Sequence, residues 1–291
     1  MLQGSFVALI TPFKNGDIDY IALEKLINLH LEAGTHGILL LGTTAETAAL
    51  ASDEKEALLR FAIQKINKRV PVMIGTGTNN LHQSIANTKR AKELGADYAL
   101  VITPYYIKPT QNGMYEYFKT IAAKVDIPIV IYNVPGRTSI NINAATTIKL
   151  ARECPNIIGI KEASGNLVQA TEIIRDAPEG FVLMSGEDAL NMPLLAIGAK
   201  GTISVTANVA PKLMSQHMEA CLRGDFKLAA KQHAELLLLN NTMFIETNPI
   251  PAKEALALMG YIEPEFRLPM CRLMSQNLES LKTVLKSYDL I

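Results

Sequence analysis

Lys161 closes an apolar run, Ile157-Ile158-Gly159-Ile160-Lys161, whose β-branched residues read as a buried strand. An amine delivered to the end of such a strand stands among apolar neighbours, where desolvation favours its uncharged, nucleophilic form; its natural chemistry is Schiff-base formation with a carbonyl compound. A second reading stands beside this one: Lys161 leaves the strand end and pairs with the adjacent Glu162 or with solvent.

Other groups able to do chemistry end similar runs: Gly42-Thr43-Thr44, Gly75-Thr76-Gly77, Pro104-Tyr105-Tyr106, Tyr132-Asn133, Gly186 and Ser204. Phenols and hydroxyls suit an imine site, because a carbinolamine must gain a proton to lose water and further protons move when a carbon nucleophile forms. Backbone N–H groups of the Gly42-Thr43-Thr44 turn could hold a small carboxylate. The guanidinium fork of Arg137, in Pro135-Gly136-Arg137-Thr138, could hold another. The plainer roles are a core-capping tyrosine at 132, turn formers at Gly42 and Gly77, and a solvated loop arginine. The five histidines fall mostly in helical segments, and no His, Asp and Glu cluster has metal-ligand spacing, so no metal is expected.

The elements that must position these groups alternate. Strand-like runs at Phe6–Ile10, Gly37–Leu41, Val72–Gly75, Ala99–Ile102, Ile129–Tyr132, Ile157–Ile160, Val182–Ser185 and Thr202–Val205 each precede a segment of helical period. Asp19 reads as the N-cap of a helix carrying Leu23, Leu26, Ile27 and Leu31 and stopped by Gly34; Ser52 reads as the N-cap of the next, with Leu58, Leu59, Ala62, Ile63 and Ile66 on one face. Eight strand–helix repeats joined by right-handed crossovers predict an α/β fold, a (β/α)8 TIM barrel over residues 1–223. Reacting groups in such barrels gather at the carboxyl ends of the strands, where all those named above would lie. Residues 224–291 change to helices only, at Lys227–Leu239, Pro251–Met259 and Ser275–Ser287, giving a C-terminal α-helical extension.

Composition narrows the function class. The 291 residues are 48% hydrophobic and carry 28 basic and 28 acidic side chains. Zero net charge without a run of one sign gives no footing for nucleic acid or a membrane surface. Cys154, Cys221 and Cys271 are widely spaced and odd in number, so neither a disulfide framework nor a zinc site is expected. No export segment or membrane-length apolar stretch is read, and the expected location is the cytoplasm.

Three segments, Gly42-Thr43-Thr44-Ala45-Glu46, Tyr132-Asn133-Val134-Pro135-Gly136-Arg137-Thr138 and Gly159-Ile160-Lys161-Glu162-Ala163, resemble the hallmark motifs of the dihydrodipicolinate synthase family, pyruvate-dependent barrels of the class I aldolase and N-acetylneuraminate lyase superfamily. Supporting matches are Pro104-Tyr105-Tyr106, Ser185-Gly186-Glu187-Asp188, Gly201 through Ala210 and Asn248-Pro249-Ile250-Pro251, so the resemblance spans essentially the whole chain. It implies that Lys161 forms an imine with pyruvate, with no other cofactor, and that the derived enamine adds to L-aspartate 4-semialdehyde to give 4-hydroxy-tetrahydrodipicolinate, a step of the diaminopimelate route to lysine. It further implies a proton relay of Tyr132, Thr43 and Tyr106, the last entering the neighbouring subunit's site. Thr44, Arg137, Gly186 and Ile203 would bind substrate, and the assembly would be a homotetramer built as a dimer of dimers.

Two departures from the family pattern bear on the site. Ala45 stands where the family usually has glycine, and is expected to adopt a negative φ, since a positive one would strain it. At the interface where lysine-sensitive relatives present histidines and a glutamate, the chain carries Thr47, Ala48, Ser52, Lys55, Asn79, Gln83 and Tyr105. A cationic effector loses attraction there and meets Lys55, so inhibition by lysine is expected to be weak or absent. The alternatives are a retro-aldol lyase releasing pyruvate from a sugar acid, against which Arg137 and Tyr106 argue, and a catalytically silent barrel that binds an oxo-acid.

Overall fold

The computed structural model describes residues 2–291. Its strands are β1 (Gly4–Ala8), β2 (Phe13–Lys14), β3 (Asp17–Ile18), β4 (Gly37–Leu40), β5 (Val72–Gly75), β6 (Tyr98–Ile102), β7 (Ile129–Asn133), β8 (Ile157–Glu162), β9 (Val182–Ser185) and β10 (Gly201–Ser204). Eight of them close into a parallel barrel in the order β1-β10-β9-β8-β7-β6-β5-β4, which is the predicted (β/α)8 architecture.

The helices are α1 (Tyr20–Glu32), α2 (Ser52–Ile66), α3 (Leu81–Glu93), α4 (Gln111–Lys124), α5 (Pro135–Thr138), α6 (Ala144–Glu153), α7 (Leu167–Asp176), α8 (Asn191–Ala196) and α9 (Pro211–Leu222). Beyond the barrel follow α10 (Phe226–Thr242), α11 (Ile250–Leu258) and α12 (Ser275–Ser287). Here α10 packs on α8 and α9, while α11 lies against the turn that follows β10 and against α12.

Period-two alternation sorts the strand side chains into two cores. Phe6, Leu39, Met73, Leu100, Val130, Met184 and Ile203 point inward and fill the lumen. Their outward neighbours, among them Val7, Ile38, Ile74, Val101, Ile131 and Ile160, meet the apolar stripes of the helices. The stripe expected on α2 is seen in Leu58, Leu59, Ala62 and Ile66.

Two local readings need correction. Asp19 caps α1 as expected, accepting from the Ala22 N–H at 2.9 Å, but Ser52 is the first helical residue of α2 and its cap position is Ala51. A methyl group cannot accept a hydrogen bond, so Glu54 supports that end instead, its carboxylate taking the Ala51 N–H at 2.8 Å. The β2–β3 hairpin was also not anticipated; its turn is Asn15-Gly16, with φ of 55° and 87°.

Candidate active site

Strand register decides where Lys161 points. In the β7–β8 ladder Tyr132 lies opposite Lys161 and Asn133 opposite Glu162. Alternation therefore turns Lys161 and Tyr132 into the barrel and their successors outward. Lys161 is 5% exposed, and its Nζ stands 4.3 Å from the centre of the Tyr132 ring. Glu162 is occupied on the other face, where its carboxylate accepts from Asn133 Nδ2 at 3.0 Å, Gln169 Nε2 at 3.0 Å and the Ser164 N–H at 2.7 Å. The geometry thus rejects the Lys161–Glu162 pairing that the sequence left open.

Gly186 makes room for the lysine. A Cβ there would fall 2.7 Å from the Ala163 Cβ and 3.1 Å from Lys161 Cε, while its N–H is fixed on the Glu162 carbonyl at 2.8 Å. Beside it, burial raises the Glu187 carboxyl above its ordinary range; Asp188 adds to the rise and Lys161 opposes it.

The Thr43–Ala45 segment is a single 3-10 turn bracketed by two left-handed residues, Leu41 (φ 52°) and Glu46 (φ 53°). Each such conformation costs about 1–3 kcal/mol for a non-glycine residue and persists only where the surroundings impose it. Here they do: Thr47 Oγ1 donates to the Gly42 carbonyl and Thr11 Oγ1 to that of Ala45, both at 2.8 Å, and Asn248 Nδ2 donates to Thr44 Oγ1 at 3.0 Å. Ala45 is buried within the turn at negative φ, as expected; the left-handed position falls one residue later, on Glu46.

Glu46 is itself held from below. Its carboxylate forms a fully buried ion pair with Lys253 of α11 and accepts from the Arg267 N–H at 3.2 Å. Lys253 Nζ is sandwiched by aromatic rings, 4.2 Å from the centre of Phe13 and 4.8 Å from that of Phe266. Burial pulls the Lys253 ammonium below its ordinary range, and Glu46 opposes the shift.

Arg137 rides on α5, a four-residue helix started by Pro135, and donates through Nη2 to the Asn248 carbonyl at 3.2 Å. Asn248 therefore touches both the threonine turn and the arginine. Thr43, Tyr132, Arg137 and Asn248 line the inner end of a cleft of about 640 Å³. Lys161 is not part of that wall; its link to it is the Tyr132 ring. Ile203 lies in the lumen core with Tyr132, 1% exposed.

The outer end of the same cleft carries six of the seven positions expected at a subunit interface: Thr47, Ala48, Ser52, Lys55, Gln83 and Tyr105; Asn79, half-buried ahead of α3, is outside its wall. Glu56 also lines it, but Arg90 donates to its carboxylate and holds it down at about 2. Tyr106 is not brought to the other site residues. It sits 86% exposed on the β6–α4 loop, with φ of 72°.

Sequence reasoning assigned no role to Glu46, Asn248 or Lys253. A signal was available for Lys253, which stands in the apolar run Ile250-Pro251-Ala252-Lys253-Glu254-Ala255-Leu256, the same anomaly that singled out Lys161.

Comparison with known proteins agrees with this geometry. The chain is 51% identical over 291 residues, the full length of both, to the 4-hydroxy-tetrahydrodipicolinate synthase of Thermodesulfovibrio yellowstonii. It superposes with a TM-score of 0.98 on the crystal structure of dihydrodipicolinate synthase from Aquifex aeolicus, at 48% identity and 99% coverage of each chain. It does so equally, at 42% identity and full coverage of both, on the chloride-inhibited dihydrodipicolinate synthase of Acinetobacter baumannii solved in complex with pyruvate. The model of the dihydrodipicolinate synthetase family matches residues 1–288. An inward amine against a phenol, a pinned threonine turn and a full-length match lead to one conclusion: the chain belongs to the dihydrodipicolinate synthetase family.

Proposed function

We propose that the chain condenses pyruvate with L-aspartate 4-semialdehyde to 4-hydroxy-tetrahydrodipicolinate, with Lys161 as the covalent centre. The observation that carries this is the placement of Lys161 Nζ inside the barrel against the Tyr132 ring, with Glu162 turned away. Lys161 attacks the ketone of pyruvate, and loss of water from the carbinolamine leaves an imine. The pyruvate carboxylate lies on the Thr43–Thr44 turn, with Gly186 and Ile203 shaping the space beside it. Loss of a methyl proton gives the enamine, whose terminal carbon attacks the aldehyde of the second substrate. That substrate's amine then displaces Lys161 and closes the ring. The imine itself is the electron sink, so the steps draw on no further cofactor.

Tyr132 and Thr43 move the protons, together with Tyr106 from a neighbouring subunit. Tyr106 is 86% exposed, and this exposure supports an assembly that buries it, a homotetramer made as a dimer of dimers. Arg137 holds the semialdehyde's carboxylate at the cleft mouth. The synthase name of the similar proteins and the place of Arg137 in the cleft wall, where its guanidinium can take a second carboxylate, favour this reading over a sugar-acid lyase. Unpaired thiols at Cys154, Cys221 and Cys271 support a reducing, cytoplasmic setting.

Borohydride reduction with pyruvate, followed by peptide mapping, tests the covalent step, and a coupled condensation assay tests the second substrate. An adduct on Lys161 together with condensation supports the reading; an unmodified protein overturns it.

A further inference from the structure

We infer that Lys253, through its buried ion pair with Glu46, is a positioning residue that sets the shape of the Thr43–Thr44 turn. The inference rests on the reading of that turn as the pyruvate-carboxylate site.

A buried ion pair is weak grounds for stability, since taking both charges out of water offsets most of their attraction and an apolar pair of similar volume often serves as well. Its location is informative. Glu46 is the left-handed residue that ends the turn. One of its oxygens is fixed by Lys253 and the other by the Arg267 N–H, so its side chain has no freedom to rotate. Arg267 is fixed in turn, its guanidinium on both oxygens of Glu54 and on the Gly16 carbonyl.

One structural element holds the turn at two points. Asn248, just ahead of α11, donates to Thr44, and Lys253, within α11, holds Glu46; the contacts span 204 and 207 residues of sequence. Between them lies Ala45, whose carbonyl is held by Thr11. Without the Lys253 contact, the Glu46 carboxylate keeps only the Arg267 N–H at 3.2 Å, and as Glu46 relaxes from its left-handed conformation the N–H groups of Thr43 and Thr44 would turn with it. A shift of about 1 Å in a positioning group can cost as much as ~100-fold in rate.

The test separates a positioning role from a merely structural one. The double variant Glu46→Leu/Lys253→Met removes both charges at similar volume, and Glu46→Gln keeps the shape and a hydrogen bond to Lys253. We expect the pyruvate KM of the double variant to rise about tenfold and that of Glu46→Gln about threefold, with the aspartate semialdehyde KM within about twofold of wild type. The melting temperature of the double variant should stay near that of wild type, whereas that of Glu46→Gln should fall, since the amide leaves the Lys253 ammonium buried without its counter-charge.

Unchanged pyruvate KM in the folded double variant overturns the inference, as does a KM rise shared equally by both substrates. If the double variant fails to fold, Glu46→Gln decides alone, by the presence or absence of the selective rise in pyruvate KM. Wild type trapped with pyruvate and borohydride is run alongside. An adduct there with unaltered variants sinks this inference only, whereas no adduct in wild type sinks the underlying reading of the site.

Discussion

Tyr132 and Lys161 are register partners on adjacent strands, and the amine of one stands 4.3 Å from the ring centre of the other. Replacing Lys161 by alanine removes the nucleophile, so condensation and borohydride trapping should both fall to background. Tyr132→Phe keeps the ring against the amine and deletes only the hydroxyl; turnover should drop by about 10²–10³, with slow adduct formation still detectable by mass spectrometry. Equal loss in the two variants would deny the hydroxyl a separate role.

Gly186→Ala probes the space around the amine. The new methyl would meet Lys161 Cε at 3.1 Å and the Ala163 Cβ at 2.7 Å. Overpacking of this kind costs about 1–3 kcal/mol, so a lower melting temperature is expected. Displacement of the amine should also slow imine formation by about tenfold in single-turnover measurements.

Acid should destabilise the fold through two buried histidines. His30 on α1 is fully buried, touches Thr35 Oγ1 through Nδ1 at 3.0 Å, and is pushed down to about 3 by burial. His217 on α9 falls to about 4, chiefly by burial and then by the neighbouring His233. The unfolded chain takes up these protons near 6.5 while the folded chain refuses them until about 4 and about 3. Their contribution is intact above pH 6.5 and lost as pH falls through that window, at about 1.4 kcal/mol per unit for each group. Urea unfolding of wild type and His30→Gln between pH 7 and 4 should give a shallower pH slope for the variant; parallel slopes would refute the assignment.

Free lysine should inhibit weakly. The cleft offers the cation Lys55 and Arg90, and the carboxylates in its wall, Glu46 and Glu56, are already bound by Lys253 and Arg90. A titration giving half-inhibition below the millimolar range would contradict this, and Lys55→Gln should strengthen whatever inhibition exists.

Much of the barrel was legible because its cause is local. Val72–Gly75 and Val182–Ser185 were bounded correctly from apolar runs alone, and other strand ends moved by one or two residues, as from Phe6–Ile10 to Gly4–Ala8. The hairpin after β1 was missed although Asn15-Gly16 is a strong two-residue turn signal, because its strands are only two residues long and carry no alternation to read. Within the site, Lys161 was placed by strand period. The inward or outward choice between it and Glu162 required the ladder register with Tyr132, which is a fact about another strand. The contacts of Asn248 and Lys253 were invisible for a similar reason: nothing local to residues 248–253 records what lies two hundred positions earlier.

That separation orders events at the ribosome. The threonine turn emerges early in synthesis, but the groups that hold it, Asn248 and Lys253, follow some two hundred residues later. A nascent chain whose eight barrel strands have all been made has only Thr11 and Thr47 to pin this turn, and the contacts from Asn248 and Lys253 can form only after α11 is made.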